Sequence, residues 1–581
     1  MLYQRTHFVL RRSVAIFALL LGVGCAPQSY PAKRIATSDR LSAGAVASIH
    51  PLATDAAMTT LKRGGNAVDA AVAAMLTLGV VDGHNSGIGG GCFILIRTAK
   101  GKTICIDARE TAPALASRDM YIVNGQADTT LSQVGPLAVA TPGALAGYEE
   151  AIAAAGTMRL ADLLLPAADL AERGFRIDAN YANKLKREQQ NLAKFDSSAA
   201  LLLPGGKPLD QGDTLVQRDL AATYRAIARE GTAYFYRGDF SRVLDDYMRQ
   251  SGGLLRSSDL AAYKVTRREP IVIRYRGYEV VGMPPPSSGG LHVAQILLML
   301  ERFDLRSMSD ADRITTIANA MSLAFADRAH WLGDPAYTGV PATLLDPTYL
   351  DARSQLISSG QAVEGIGYGT PPVGLNFNHD ADSRHTTHVS VADREGNVCS
   401  ITATINTSFG SKIILPGTGV FLNNEMDDFA IAPGTPNAFG LVGNEANAVA
   451  AGKRPLSSMS PTIVLKDGTP FVVIGSAGGP RIITQVACVL INLLDLGLDP
   501  AGAMTTPRIH HQWNPNRLSI EDTFLVANPR LGQTLESRGF TLDIKPPVGA
   551  TNLVVLRRSA DGGYSATAVS EPRSHGKAAA K

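Results

Sequence analysis

Cysteine is scarce in this sequence: five residues in 581. Cys92, Cys105, Cys399 and Cys488 each lie in an apolar strand- or helix-like run, and none has CxxC spacing. That excludes a disulfide framework and places these thiols in the interior as small hydrophobes. Clustered metal ligands are missing as well. His510 and His511 are adjacent, so on a strand they point to opposite faces. An excess of one charge is also absent, with 55 Lys and Arg against 52 Asp and Glu and a net charge of +3. Such a balance argues against nucleic acid or an anionic membrane as partner. The glycine stretch "GIGGG" (87–91) lacks the lysine of a phosphate-binding loop, and its strand follows rather than precedes it. It reads as backbone that must pass close to something else.

The N-terminus is a separate matter. Arg5, Arg11 and Arg12 precede an apolar run from Val14 to Val23, then Gly24-Cys25. Residues 1–25 read as a secretory signal, too short to span a membrane comfortably. Cys25 after small residues fits bacterial lipoprotein processing, with the cysteine acylated; plain secretion is the alternative, since Gly22 stands where leucine is usual. The expected location is therefore the periplasm, with membrane contact only through such an anchor.

Beyond the signal, Thr54–Val81 is Ala-rich and helical, with Asn66 as cap and Asp69 three residues on. "GGGCFILIRT" and "KTICIDARE" predict strands, residues 145–250 are mainly helical, and 310–333 is a further helix. Residues 360–385 are rich in Gly, Pro, Asn and Asp without periodicity, and are expected to be mobile. From Thr386 the pattern turns to strands, followed by a helix from Arg481 to Leu494. Helix-rich then strand-rich segments predict an α+β fold with helices layered on sheet.

The stretch "HTTHVSVADREGNVCSITATIN" (385–406) draws attention. With a turn over 393–397, Ala392 faces Val398, Ser390 faces Ser400, His388 faces Thr402 and Thr386 faces Thr404. Period two puts Thr386, His388 and Ser390 on one face, with Thr402, Thr404 and Asn406. By itself this is an ordinary half-exposed hairpin. A threonine hydroxyl becomes a nucleophile only with a base beside it. If the bond between His385 and Thr386 is cut, the freed α-amine, of pKa roughly 7.7–8.0, lies beside its own hydroxyl and serves as that base. Thr404 is placed to hold the hydroxyl. Gly478 and Gly479, between a buried strand and the Arg481 helix, offer backbone N–H groups to a developing oxyanion. Arg109, Ser457 and Ser458 suit a carboxylate, and Glu425, Asp427 and Asp428 an ammonium, so together they suit an α-amino acid.

The motifs "DARETAP", "MPPPSSGG", "TTHVSV", "NTSFGS", "NNEMDDF", "KRPLSSMSPTIV" and "GSAGGPRIIT", in this order and spacing, resemble the γ-glutamyltransferase (γ-glutamyltranspeptidase, glutathione hydrolase) family. The likeness covers nearly all of the chain after the signal. It implies an N-terminal-nucleophile hydrolase fold, a four-layer αββα sandwich. It implies a precursor that cuts itself between His385 and Thr386 into a large subunit, 26–385, and a small one, 386–581, which stay together. It implies Thr386 as nucleophile and Thr404 as its orienting partner. Arg109, Ser457 and Ser458 would take the substrate α-carboxylate, Asn406, Glu425 and Asp428 its α-amine, and Gly478 and Gly479 the oxyanion. Glutathione and other γ-glutamyl compounds are the implied donors, and water, amino acids or peptides the acceptors; no cofactor enters. Residues 432–449 resemble the family's lid loop, with Phe439 where some members have tyrosine. Glu425 replaces a glutamine of some relatives. A related acylase acting on another acyl group, or an inactive binding lipoprotein of the same fold, are the competing readings.

Overall fold

A computed structural model describes residues 34–372, 386–432 and 434–581, and the backbone of 376–377. The signal segment with Cys25, and His385 at the expected cut, lie outside the described residues.

Two seven-stranded sheets form the centre. The first runs, in spatial order, Lys577–Ala580, Gly44–Ser48, Thr386–Asp393, Val398–Thr404, Gly91–Arg97, Thr103–Ala108 and Thr266–Arg268. The second runs Ile35–Ser38, Tyr564–Ser570, Asn552–Arg558, Thr469–Gly475, Thr462–Lys466, Tyr278–Gly282 and Ile271–Tyr275. Every neighbouring pair in both sheets is antiparallel. Phe93, Leu95, Val281, Ile463, Val473 and Val554 pack between the sheets. Helices Pro51–Lys62, Ala67–Val81 and Ala144–Ala155 cover the outside of the first sheet. Helices Ser288–Leu300, Asp310–Trp331 and Arg481–Leu494 cover the second. This is the four-layer αββα sandwich that the motifs imply. Each sheet buries both faces, which is why its strands are apolar beyond simple alternation.

The helix Ala67–Val81 is buried along its whole length. Its start is set by a capping box: Asn66 Oδ1 accepts from the amides of Val68 and Asp69, while Asp69 Oδ2 accepts from the Asn66 amide at 2.9 Å. That fixed start determines where the helix ends, and it ends at Asp82, beside the site. The strand Thr386–Asp393 is flanked by Gly44–Ser48 on one side and Val398–Thr404 on the other. Sheet pairing therefore joins chain from before and after residue 385. The segment 360–372 is irregular, and Asn376–Phe377 pairs with Val340–Pro341. Among the described residues, no helix is long and apolar enough to cross a membrane.

Candidate active site

The hairpin takes the predicted register throughout: Thr386 opposite Thr404, His388 opposite Thr402, Ser390 opposite Ser400 and Ala392 opposite Val398. Two expectations need correction. The polar face is not half exposed; all of both strands are buried. It packs against the second sheet, where polar groups must find partners. His388 Nδ1 meets Thr402 Oγ1 and His388 Nε2 meets Ser390 Oγ, both at 2.9 Å. Ser390 Oγ donates to Asn552 O, and Ser400 Oγ to Ile474 O, bridging the two sheets. Nor does Asn406 extend the strand's alternation. The strand stops at Thr404, and Asn406 turns with φ 71°, a left-handed value that asparagine tolerates. The turn brings its amide N–H to Thr404 Oγ1 at 2.9 Å and its side-chain Nδ2 to Asn424 O at 2.8 Å.

Thr386 is 2% exposed, and its hydroxyl makes no hydrogen bond among the described residues. It lies on a cavity of about 440 Å³ whose wall includes Ala477 and Gly478. The strand Thr469–Gly475 leads into that wall. Gly478 and Gly479 have φ of 119° and 64°, conformations that L side chains rarely adopt. They precede the helix Arg481–Leu494, so their amides belong to the electropositive start of a long helix.

The acid–arginine cluster forms a separate, sealed assembly. Arg109 follows the strand Thr103–Ala108 and has no exposed surface. Its guanidinium lies 2.7 Å from Glu425 Oε1, 3.1 Å from Asp428 Oδ2 and 2.8 Å from Glu110 Oε2. One cation thus faces three buried carboxyls. Burial pushes Glu425 well above the usual carboxyl range and Glu110 up as well, against the pull of Arg109. Burial also raises the neighbouring Asp427 to about 6, partly opposed by Ser132, whose hydroxyl donates to its Oδ1. Ser457 and Ser458 are fully buried; Ser457 Oγ accepts from the Met459 amide, and Arg328 donates to Ser458 Oγ at 3.4 Å. Phe439 is partly buried on the 432–449 loop. That loop is tied to the acids: Asn437 Nδ2 donates to Asp428 Oδ1 and the Ala438 amide to Asp427 Oδ2.

Glu110 and Arg328 escape the sequence reading. Glu110 was legible, being the glutamate of "DARE" next to Arg109; Arg328 lies inside a helix and carries no local signal. All four cysteines Cys92, Cys105, Cys399 and Cys488 are buried free thiols. His510 and His511 take separate partners, Thr484 and Asn516. Among the described residues no group of three or more His, Cys, Asp or Glu side chains is placed to hold a metal ion.

The family profile described as Gamma-glutamyltranspeptidase matches residues 53–581. The chain is 42% identical over 559 residues to a glutathione hydrolase proenzyme of Escherichia coli (strain K12), across 94% of this chain and 95% of that protein. It is 41% identical over 527 residues to the acylase ACY 1 proenzyme of Pseudomonas sp. (strain SE83), across 89% and 90%. Among solved structures, a cephalosporin acylase from Bacillus halodurans matches with a TM-score of 0.82 and 28% identity, across 96% of this chain and all of that one. A profile spanning nearly the whole sandwich, and relatives above 40% identity over about nine-tenths of their length, place the chain in the γ-glutamyltranspeptidase family.

Proposed function

We propose that the chain is a self-processing γ-glutamyl acyl-transfer enzyme with Thr386 as nucleophile. The observation that carries this is the Thr386 hydroxyl: buried, without a hydrogen-bond partner among the described residues, first in its strand, and on a cavity shared with Gly478. A buried hydroxyl left unpaired costs stability, about 1–3 kcal/mol, and is retained where chemistry uses it.

The precursor cuts between His385 and Thr386 into segments 26–385 and 386–581. The freed Thr386 amine then takes the hydroxyl proton as Oγ1 attacks the γ-carbonyl carbon of a substrate such as glutathione. Thr404, opposite Thr386, steadies the hydroxyl. The amides of Gly478 and Gly479 receive the negative charge of the carbonyl oxygen. As the tetrahedral intermediate collapses, the C–N bond breaks and the amine leaves with the proton. Water or an acceptor amine next attacks the ester, and its proton returns to Thr386 Oγ1. Arg109, Ser457 and Ser458 hold the donor α-carboxylate, while Asn406, Glu425 and Asp428 hold the α-amine. Phe439 belongs to the lid over this pocket. The N-terminal segment supports export to the periplasm, with Cys25 as the point of lipidation if the chain is anchored.

The similarity to two acylases favours a second reading, transfer of a different acyl group by the same nucleophile. Arg109 set against Asp428 supports the α-amino acid end instead. The test is a γ-glutamyl anilide. The purified protein is expected to run as two fragments, the smaller beginning at Thr386, and to release the aniline. Two fragments without release support the acylase reading, and an uncut active protein rejects Thr386 as nucleophile.

A further inference from the structure

A peptide group is planar, and in the trans form its N–H points opposite to its C=O. The direction of the Gly478 N–H is therefore set by whatever holds the carbonyl oxygen of Ala477. That peptide is trans, and the φ of 119° at Gly478 is one that glycine adopts without cost. The same freedom lets the peptide turn over, so its direction needs a holder. The helix Arg481–Leu494 supplies one: Gln485 Nε2 donates to Ala477 O at 3.0 Å. A Cβ at Gly478 would lie 3.3 Å from that nitrogen, so the side-chain amide lies against the glycine. The Ser476 hydroxyl is a weaker holder. It reaches Ala477 O at 3.4 Å but Thr551 Oγ1 at 2.9 Å. Among the described residues, the Gly478 amide donates to no backbone carbonyl.

Gln485 is itself fixed from the other end. It is 5% exposed and shares the wall of the cavity with Thr386 and Gly478. Its Oε1 accepts from Arg508 Nη1 at 3.2 Å, from Thr551 Oγ1 at 3.3 Å and from the Ala550 amide at 3.3 Å. Three donors on one side and a carbonyl on the other leave one way round for the amide. Arg508 is held in turn. Its Nη1 lies 2.7 Å from Glu571 Oε2, which also accepts from the Thr551 amide at 2.9 Å. Burial favours the neutral acid at Glu571, but Arg508 and Arg573 outweigh it and hold the carboxyl below its usual range. The charge that anchors Arg508 is thus kept. Through Arg508 and Gln485, the C-terminal "SEPR" (570–573) reaches the glycine turn beside Thr386.

We propose that Gln485 is a positioning residue for the oxyanion site: by holding Ala477 O, it aims the Gly478 N–H at the carbonyl oxygen of a substrate bound at Thr386. Arg508 and Glu571 keep Gln485 in that orientation. This role rests on the reading of Thr386 and Gly478 given above. It acts where negative charge develops, so it stabilises the transition state more than the bound substrate.

The test compares the cleaved wild-type protein with two variants. Gln485→Glu keeps the shape and the contact to Arg508 but sets an oxygen against Ala477 O. Gln485→Met keeps the length and removes both contacts. The substrate is a γ-glutamyl anilide, and glutamate is the ground-state competitor. The third probe is the glutamate analogue with a boronic acid in place of the γ-carboxylate. Thr386 Oγ1 adds to its boron, the hydroxyl proton passes to the Thr386 α-amine, and the tetrahedral anion puts an oxygen where the oxyanion forms. Loss of a whole oxyanion donor costs roughly 10²–10³ in kcat, and a donor left in place but mis-aimed is expected to cost about tenfold to a hundredfold. The inhibition constant of the boronic acid is expected to rise by about tenfold or more, and that of glutamate to stay within about threefold. Unchanged kcat and boronic acid affinity in both variants overturn the proposal. So does an equal weakening of glutamate and boronic acid, or failure of both variants to fold and cut, since either shows Gln485 supporting the whole site rather than aiming one amide. A wild type that releases no aniline overturns the transfer reading itself, and the role of Gln485 falls with it.

Discussion

Arg109 and Asp428 stand 319 residues apart in sequence, and their side chains meet at 3.1 Å with neither exposed to solvent. Glu425 and Glu110 complete a group in which one guanidinium serves three carboxyls. A buried pair of this kind is weak evidence for stability, because desolvation offsets attraction. On the proposed reading its value is in recognition. An incoming carboxylate can take over part of the guanidinium, and an incoming ammonium can take over the acids that it releases.

Arg109→Lys keeps the charge but loses the planar fork. The cleaved protein is expected to form normally, with KM for the γ-glutamyl donor raised about tenfold to a hundredfold and kcat changed less. Steady-state kinetics on a γ-glutamyl anilide check this; unchanged KM removes Arg109 from donor binding.

Thr386→Ala deletes the hydroxyl that both self-cleavage and turnover use in the proposed mechanism. One full-length band on a denaturing gel and no release from the donor are expected. A fully cut, normally active variant would refute the assignment of Thr386.

Gly475→Ala tests the packing of the two sheets. A Cβ at Gly475 would sit 2.3 Å from the His388 ring, which is held between Thr402 and Ser390 and has nowhere to move. Overpacking of this kind is expected to cost about 3 kcal/mol, read as a lower denaturant midpoint. Wild-type stability would show that the ring can shift.

His388 also carries a pH signature. Burial lowers its pKa from 6.5 to about 3, so it is neutral in the fold and takes up a proton more readily when unfolded. The stability that it contributes is present above pH 6.5 and is lost as pH falls toward 3. Burial raises Asp82 to about 7 and Asp334 and Asp427 to about 6, which acts in the opposite sense over part of this range. The clean measurement is therefore a difference between wild type and His388→Gln. The wild-type stability relative to the variant is expected to drop by about 2 kcal/mol between pH 7.5 and 5. A difference independent of pH would mean that His388 is not buried neutral.

Much of the local geometry around Thr386 is legible in the sequence. The hairpin register followed from a short turn and a period of two, and the structure reproduces each predicted pair from Thr386–Thr404 to Ala392–Val398. The helix Arg481–Leu494 and its glycine approach were legible for the same reason: the signals are local. Asn406 was not. Its position depends on a left-handed turn that period counting carries straight through. Arg328 was not either, because a charged residue within a helix says nothing about which distant serine it will reach.

By itself, the amino-acid sequence determined the local elements, the register of the central hairpin and the motifs that mark the family, because each depends on neighbours a few residues away. The tertiary structure alone decided that the hairpin's polar face is sealed between two sheets. It alone gathered Arg109, Glu110, Glu425 and Asp428 into one buried group. Those relations depend on how sheets stack and strands order themselves, and burial changes the charge and pairing of a side chain in ways that no local pattern encodes.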